Sequence, residues 1–210
     1  MAYVLGFFTA DGNMIKNKRG AHFISFYNTD KKILKNIKEI MGVAHKLSLR
    51  PRRSKKHKDS YRLQIGSKEI FNDLLRLGLT PAKSKTLDLP IVPDKYFPDF
   101  LRGYFDGDGC ISSGIYRRKD RNSTKFLLAS HFTSGSKVLL DSLLNKLRKT
   151  LATKTGFIYA KNRGFDLTLS INDSKKLFDL MYENLKNNLF LERKFNKFRK
   201  AIKLSNNMRA

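Results

Sequence analysis

The chain has 210 residues, room for one substantial core or two smaller related ones. Lys and Arg number 43 against 18 Asp and Glu, and the net charge of +25 makes a compact state self-repelling unless a polyanion binds it, nucleic acid before a membrane surface or an acidic protein. One cysteine, Cys110, excludes an internal disulfide and a cysteine-based zinc site, and no apolar run approaches the roughly 20 residues of a membrane-spanning helix. No secretory leader is recognisable before the first apolar run, so the expected setting is intracellular and reducing: a bacterial or archaeal cytoplasm, or an organelle matrix.

The first element is the apolar run Val4-Leu5-Gly6-Phe7-Phe8-Thr9-Ala10-Asp11-Gly12, read as a helix with Gly6 and Ala10 on one face. Only Met1-Ala2-Tyr3 precede it, which predicts a short helix. Asn13 to Asn28 reads as a hairpin turning at Asn17-Lys18-Arg19-Gly20. A helix follows from Thr29-Asp30, carrying Ile33, Leu34, Ile37, Ile40 and Met41. Two strands, 44–50 and 60–66, alternate apolar residues (Leu47, Leu49; Tyr61, Leu63, Ile65) with Lys46, Ser48, Arg50, Arg62 and Gln64. Ser67 caps the next helix, and Gly78 ends it.

Residues 80–98 hold four of the five prolines and read as a linker between an N-terminal half, 1–79, and a C-terminal half, 99–204, with a tail at 205–210. The order then repeats. A second run, Leu101-Arg102-Gly103-Tyr104-Phe105-Asp106-Gly107-Asp108-Gly109, begins near Asp99 and again places two small residues, Gly103 and Gly107, four apart. Strands at 111–117 and 125–133, a helix at 136–147, strands at 156–161 and 165–171, a helix from Asn172 or Ser174, and a basic amphipathic helix at 191–204 complete the chain. The segment from Ser67 aligns with that from Ser174, and the shared order points to tandem duplication. Gly12 and Gly109 suit left-handed helix caps. Asp11 and Asp108 stand at the negative ends of helix dipoles, an arrangement costing up to about 1 kcal/mol each and calling for compensation.

Two such motifs, Val4–Gly12 and Leu101–Gly109, separated by an αββαββ unit in a basic chain, resemble the monomeric LAGLIDADG homing endonucleases, over nearly the whole length. The resemblance implies an α+β fold of two pseudo-symmetric αββαββα halves, with motif helices packed at the centre and two antiparallel sheets forming a saddle over DNA. It implies a site-specific double-stranded DNA endonuclease that hydrolyses one phosphodiester per strand and leaves 3′ overhangs. The target would be long, pseudo-palindromic or asymmetric, and host intron RNA is a further partner of such proteins. The alternative within the fold is a non-cleaving DNA-binding regulator or an intron RNA-splicing maturase.

Asp11 and Asp108 match the family's metal-binding acids, with the backbone carbonyls of Ala10 and Gly107 as further ligands. Two bare carboxylates about 5 Å apart would repel by roughly 3 kcal/mol, and divalent cations would relieve this. Oxygen ligands favour Mg²⁺, two or three ions in such sites, with Mn²⁺ or Ca²⁺ able to substitute in binding. Lys83 and Lys194 match active-site lysines, and Thr29 and Ser134 match water-organising positions, although a hydroxyl at either junction would also suit a helix cap. Asp106, opposite Thr9 of the first motif, reads as helix surface or as support behind the ligands.

For DNA, alternate strand residues would meet base edges: Lys46, Ser48, Arg50, Arg62 and Gln64 in the first half, Asp166, Thr168 and Ser170 in the second. Lys16, Lys18, Arg19, Arg52, Arg53, Arg117, Arg118, Lys119, Arg121, Lys161 and Arg163 lie in or beside hairpin turns, where phosphate contacts are expected.

Overall fold

The computed structural model describes residues 1–52, 58–82, 85–118, 123–185 and 189–207. Lys83, Arg53, Lys119 and Arg121 lie outside the described residues.

The first half runs α1 (Ala2–Asp11), β1 (Asn13–Lys16), β2 (His22–Asn28), α2 (Lys31–Ile40), β3 (Leu47–Arg50), β4 (Ser60–Gly66), α3 (Lys68–Arg76). The second repeats it as α4 (Phe97–Asp108), β5 (Gly109–Arg118), β6 (Ser123–Ser134), α5 (Lys137–Thr150), β7 (Phe157–Lys161), β8 (Gly164–Leu169), α6 (Ile171–Tyr182), and adds α7 (Glu192–Asn207). Each half holds a four-stranded antiparallel sheet of the same topology, β1-β2-β4-β3 and β5-β6-β8-β7. No helix among the described residues is long and apolar enough to cross a membrane.

Helix starts follow side-chain chemistry. The Asp30 carboxylate accepts from the Lys32 N–H at 2.9 Å, and the Ser67 hydroxyl from the Ile70 N–H at 3.1 Å. Ser136 caps α5. Neither Thr29 nor Ser134 is a cap; the Ser134 hydroxyl accepts from the Ser136 N–H at 3.0 Å, just ahead of the helix. Helix α6 begins after Ser170, earlier than either Asn172 or Ser174. Ser174 instead lies buried within it, accepting from the Ser130 N–H at 3.0 Å and donating to the Leu169 carbonyl at 3.2 Å.

The two motif glycines depart from expectation. Gly12 (φ −79°, ψ 150°) and Gly109 (φ −84°, ψ 153°) are extended, not left-handed. Glycine is required there for space: a Cβ on Gly12 would strike the Phe8 ring and carbonyl, and one on Gly109 would meet the ring and carbonyl of Phe105. Each motif helix therefore passes straight into the first strand of its sheet.

One apolar cluster joins both halves. Ile33, Leu34 and Ile37 of α2 cover Leu63 and Ile65 of β4, while Leu139, Leu143 and Leu147 of α5 belong with Leu167 and Leu169 of β8; Phe7, Phe8, Phe100 and Phe105 connect the two at the centre. β3 is an edge strand, and Leu49 is 53% exposed, so the alternation seen in its sequence does not bury both leucines. The connection between halves is held against α5: the Ser136 hydroxyl donates to the Leu87 carbonyl at 2.6 Å, Ser142 donates to Asp88 at 2.7 Å, and Lys146 pairs with Asp94. A 3-10 turn at Asp94–Tyr96 then leads into α4, which starts at Phe97 with Pro98 in its first turn, where a missing N–H costs nothing.

Candidate active site and nucleic-acid interface

The site is built on the contact between α1 and α4. A Cβ on Gly6 would collide with the Phe100 carbonyl oxygen and lie 2.9 Å from the Tyr104 nitrogen; a Cβ on Gly103 would collide with the Tyr3 carbonyl oxygen and lie 2.9 Å from the Phe7 nitrogen. Tyr3 and Phe100, Gly6 and Gly103, and Phe7 and Tyr104 are equivalent positions of the two motifs, so the contact is reciprocal, as an approximate twofold axis requires. The helices touch backbone to backbone because these positions carry no side chain. At the far end the contact passes through Ala10, whose Cβ occupies the space beside Gly107, and an Asp11 carboxylate oxygen lies 3.5 Å from where Gly107 would carry a side chain.

Asp11 and Asp108 thus emerge from neighbouring helix ends. Both act on the same two groups. Burial, then Asp108 and Asp11, push the Tyr104 hydroxyl pKa up. Lys194 is lowered to about 8 by burial, while Asp106, Asp11 and Asp108 oppose that fall.

Lys194 answers the expected need for compensation at one helix end. Its ammonium donates to the carbonyls of Phe105, Asp106 and Gly107 at 2.8, 2.7 and 3.0 Å, closing the C-terminus of α4 with a positive charge. The Gly107 carbonyl, considered as a ligand, is therefore engaged by a lysine.

Asp106 is not helix surface: it is fully buried. One of its oxygens accepts from the Tyr3 hydroxyl at 2.7 Å and from the Leu191 N–H at 2.8 Å. Burial raises its pKa to about 6, against the pull of those two donors and of Lys194 and Arg102. Arg102 is buried as well. It donates to the Leu189 carbonyl at 2.9 Å, the Met181 carbonyl at 2.8 Å and Asp99 at 2.5 Å, and its guanidinium stands 5.5 Å from the Tyr3 ring centre. Sequence reading missed this cluster of Tyr3, Arg102 and Asp106. Its available signal was a charged residue in each of two places where the first motif has Leu5 and Thr9.

The outer sheet faces carry most of the expected DNA-reading residues. On the first sheet, Ser48 faces Arg62 across β3 and β4, Gln64 faces Ser25 across β4 and β2, and the Arg50 guanidinium lies 5.1 Å from the Tyr27 ring centre. Lys46 is exposed just before β3. Lys16 shares the strand face of buried Met14, so Asn13 and Ile15, not Lys16, lie on the outer face of β1. Lys18 and Arg19 stand in a turn fixed by the Asn17 side chain, which accepts from the Arg19 and Ala21 N–H groups at 3.0 and 2.8 Å. Arg52 is exposed, with its backbone N–H held by Asp59 at 2.9 Å.

On the second sheet, Asp166 accepts from Thr133 at 2.6 Å and pairs with Lys161 at 2.7 Å. Burial would raise its pKa, but Lys161 and Thr133 outweigh burial and hold the carboxyl below its usual value. Thr168 bonds His131 at 2.9 Å, and the other His131 nitrogen meets the Ser112 hydroxyl at 3.1 Å. This row across β5, β6 and β8 was not anticipated. Ser170 does not belong to it, since β8 ends at Leu169 and Ser170 leads into α6. Arg163 occupies the β7–β8 turn with φ 75°, and Arg117 and Arg118 end β5.

Residues 1–77 match the family described as LAGLIDADG-like domain, and residues 101–205 match LAGLIDADG endonuclease. No curated protein matches the chain. Among solved structures, it resembles the meganuclease I-SmaMI bound to uncleaveable DNA (17% identity, TM-score 0.65, covering 99% of this chain and 90% of that one). I-CpaMI bound to uncleaved DNA (14%, 0.66, 99% and 92%) and I-LtrWI bound to target DNA (14%, 0.67, 99% and 90%) are similar to it in the same way. With both halves matched and the paired motif helices at their centre, the chain belongs to the LAGLIDADG endonuclease family.

Proposed function

We propose that the protein is a site-specific double-strand DNA endonuclease in which each half contributes one acid and cuts one strand. The observation that carries this reading is the reciprocal glycine contact of α1 and α4, which delivers Asp11 and Asp108 to one end of the helix pair. The similar structures bound to DNA support duplex DNA as the substrate.

The residues fit a divalent ion. Asp11 and Asp108 offer hard carboxylate oxygens at adjacent helix ends, the donor type that magnesium-class ions take. Asp11 and Asp108 would hold the ion, with phosphate oxygens and water completing its shell; when bound it supplies Lewis-acid polarisation of the phosphate and charge relief at the leaving oxygen. Lys194 fixes the end of α4, and so the place from which Asp108 projects, while adding a positive charge beside the phosphate. Thr29 and Ser134, free of capping duty, are the hydroxyls assigned to holding water, with Lys83 the first-half counterpart of Lys194. Arg50, Arg62 and Gln64 suit guanine and adenine edges, and the turn residues suit phosphates.

The test is a randomised duplex library incubated with the protein and Mg²⁺, with the cut ends sequenced. Sequence-specific cuts that vanish in Asp11→Asn, with binding retained, are expected. Binding by the parent protein without cuts would instead favour the regulator or maturase reading.

A further inference from the structure

The two sheets present different chemistry on the faces assigned to DNA. The first carries Ser48, Arg50, Arg62 and Gln64, all able to hydrogen-bond, with Ile15 of β1 a lone exposed aliphatic beside them. The second exposes large apolar and aromatic side chains: Tyr116 at 43%, Leu127 at 45%, Phe157 at 62% and Tyr159 at 56%. Their strand positions put them on one face. Tyr116 faces Lys125 across β5 and β6, and Leu127 is two residues along from Lys125. Across β7 and β8, Phe157 faces Thr168 and Tyr159 faces Asp166, residues of the polar row already described. The four line a shared groove of about 560 Å³. Four large exposed side chains that are neighbours on one sheet face differ from apolar residues scattered singly, and they suit a binding surface.

Charge argues for the occupant. Lys125 lies within the groove lining, and Lys161 and Arg163 stand at the β7–β8 end of the same sheet, in a chain of net charge +25. A polyanion satisfies both the cationic margin and the apolar floor if it also presents apolar groups. On the base edges of the major groove, the apolar group that distinguishes one base pair from another is the C5-methyl of thymine. Leucine and phenylalanine have no hydrogen bond to offer any other base edge.

We propose that the C-terminal half reads its part of the target through thymine methyl groups, with Leu127 and Phe157 as the contact residues and Tyr116 and Tyr159 beside them. The target is then asymmetric in chemistry, guanine- and adenine-directed under the first sheet, with thymine contacts added under the second beside the polar row of Asp166, Thr168 and His131. This rests on the sheets being the DNA-reading surface, and the experiment separates the two statements.

Duplexes bound by the protein are enriched from a random library, and each thymine of the consensus is replaced singly by deoxyuridine, which removes the methyl and keeps the pairing. Arg62→Ala identifies the half-site under the first sheet by the positions where preference relaxes. Under the second sheet, uracil at one or two thymines, those that Leu127 and Phe157 touch, should weaken binding by about fourfold each, the worth of one buried methyl. Leu127→Ala with Phe157→Ala should bind thymine and uracil targets equally, with unchanged thermal unfolding because both residues are exposed. Uracil that is neutral at every thymine under the second sheet, or costly only under the first, overturns the proposal while leaving DNA recognition intact. Failure to enrich any sequence overturns the DNA reading itself.

Discussion

The Tyr3 hydroxyl donates to the Asp106 carboxylate at 2.7 Å, from the first helix of one half to the motif helix of the other. The same carboxylate oxygen takes the Leu191 N–H, so one buried acid joins α1, α4 and the start of α7. Its pKa of about 6 in the folded protein exceeds the ordinary aspartate value of 3.8, so the native state holds its proton to higher pH than the unfolded chain. Stability from this group is complete below pH 4 and is lost as pH rises to 6, about 3 kcal/mol in all. Urea denaturation of the metal-free protein at several pH values, compared with Asp106→Asn, should show that loss in the parent alone. Parallel curves would refute it.

Gly6→Ala and Gly103→Ala each drive a methyl into a carbonyl of the opposite motif helix. Backbone cannot swing aside as a side chain does, so each should cost at least about 3 kcal/mol or abolish soluble expression. Gly114→Ala on β5 meets nothing within 4 Å and should change the unfolding midpoint little.

Arg102→Met keeps length and apolar bulk but strips donors from the buried carbonyls of Leu189 and Met181. A loss of about 3–5 kcal/mol is expected in equilibrium unfolding. Arg102→Lys should not rescue it, because a single ammonium cannot serve the three directions a guanidinium spans.

If the outer faces hold DNA, affinity must fall steeply with salt. About six neutralised phosphates would give a slope near −5 in a plot of log K against log salt. Titration by fluorescence anisotropy across several salt concentrations reads the slope directly, and a slope shallower than about −2 would count against this surface.

The repeated order of helices and strands was legible because the two periodicities, apolar alternation and the helical 3.6 rhythm, are local. So was the helix contact, since only small residues at Gly6 and Gly103 permit it. Alignment of the halves was less secure. Ser67 pairs structurally with Ser170, each leading into the helix after its strand, rather than with Ser174, one helical turn later. An amphipathic helix nearly repeats itself after each turn, so Ile70-Phe71 matches Leu177-Phe178 in that shifted register as well. Of the two readings of Asp106 only helix surface fails, and its burial was illegible for a different reason. Charge in a motif helix suggests solvent, and nothing local announces that Tyr3 and Leu191, distant in sequence, will close over Asp106.

Position by position, the motif that carries Asp106 and Arg102 faces a partner motif that carries Tyr3. A hypothetical homodimer of two C-terminal halves would set Phe100 where Tyr3 stands, and both aspartates would be entombed without a phenol to meet them. Two N-terminal halves would bring the phenols but, with Leu5 and Thr9, no acid or arginine to receive them. The copies have grown complementary, and neither can now stand in for the other: the core closes around this acid only when two unlike halves meet, a pairing that one polypeptide guarantees.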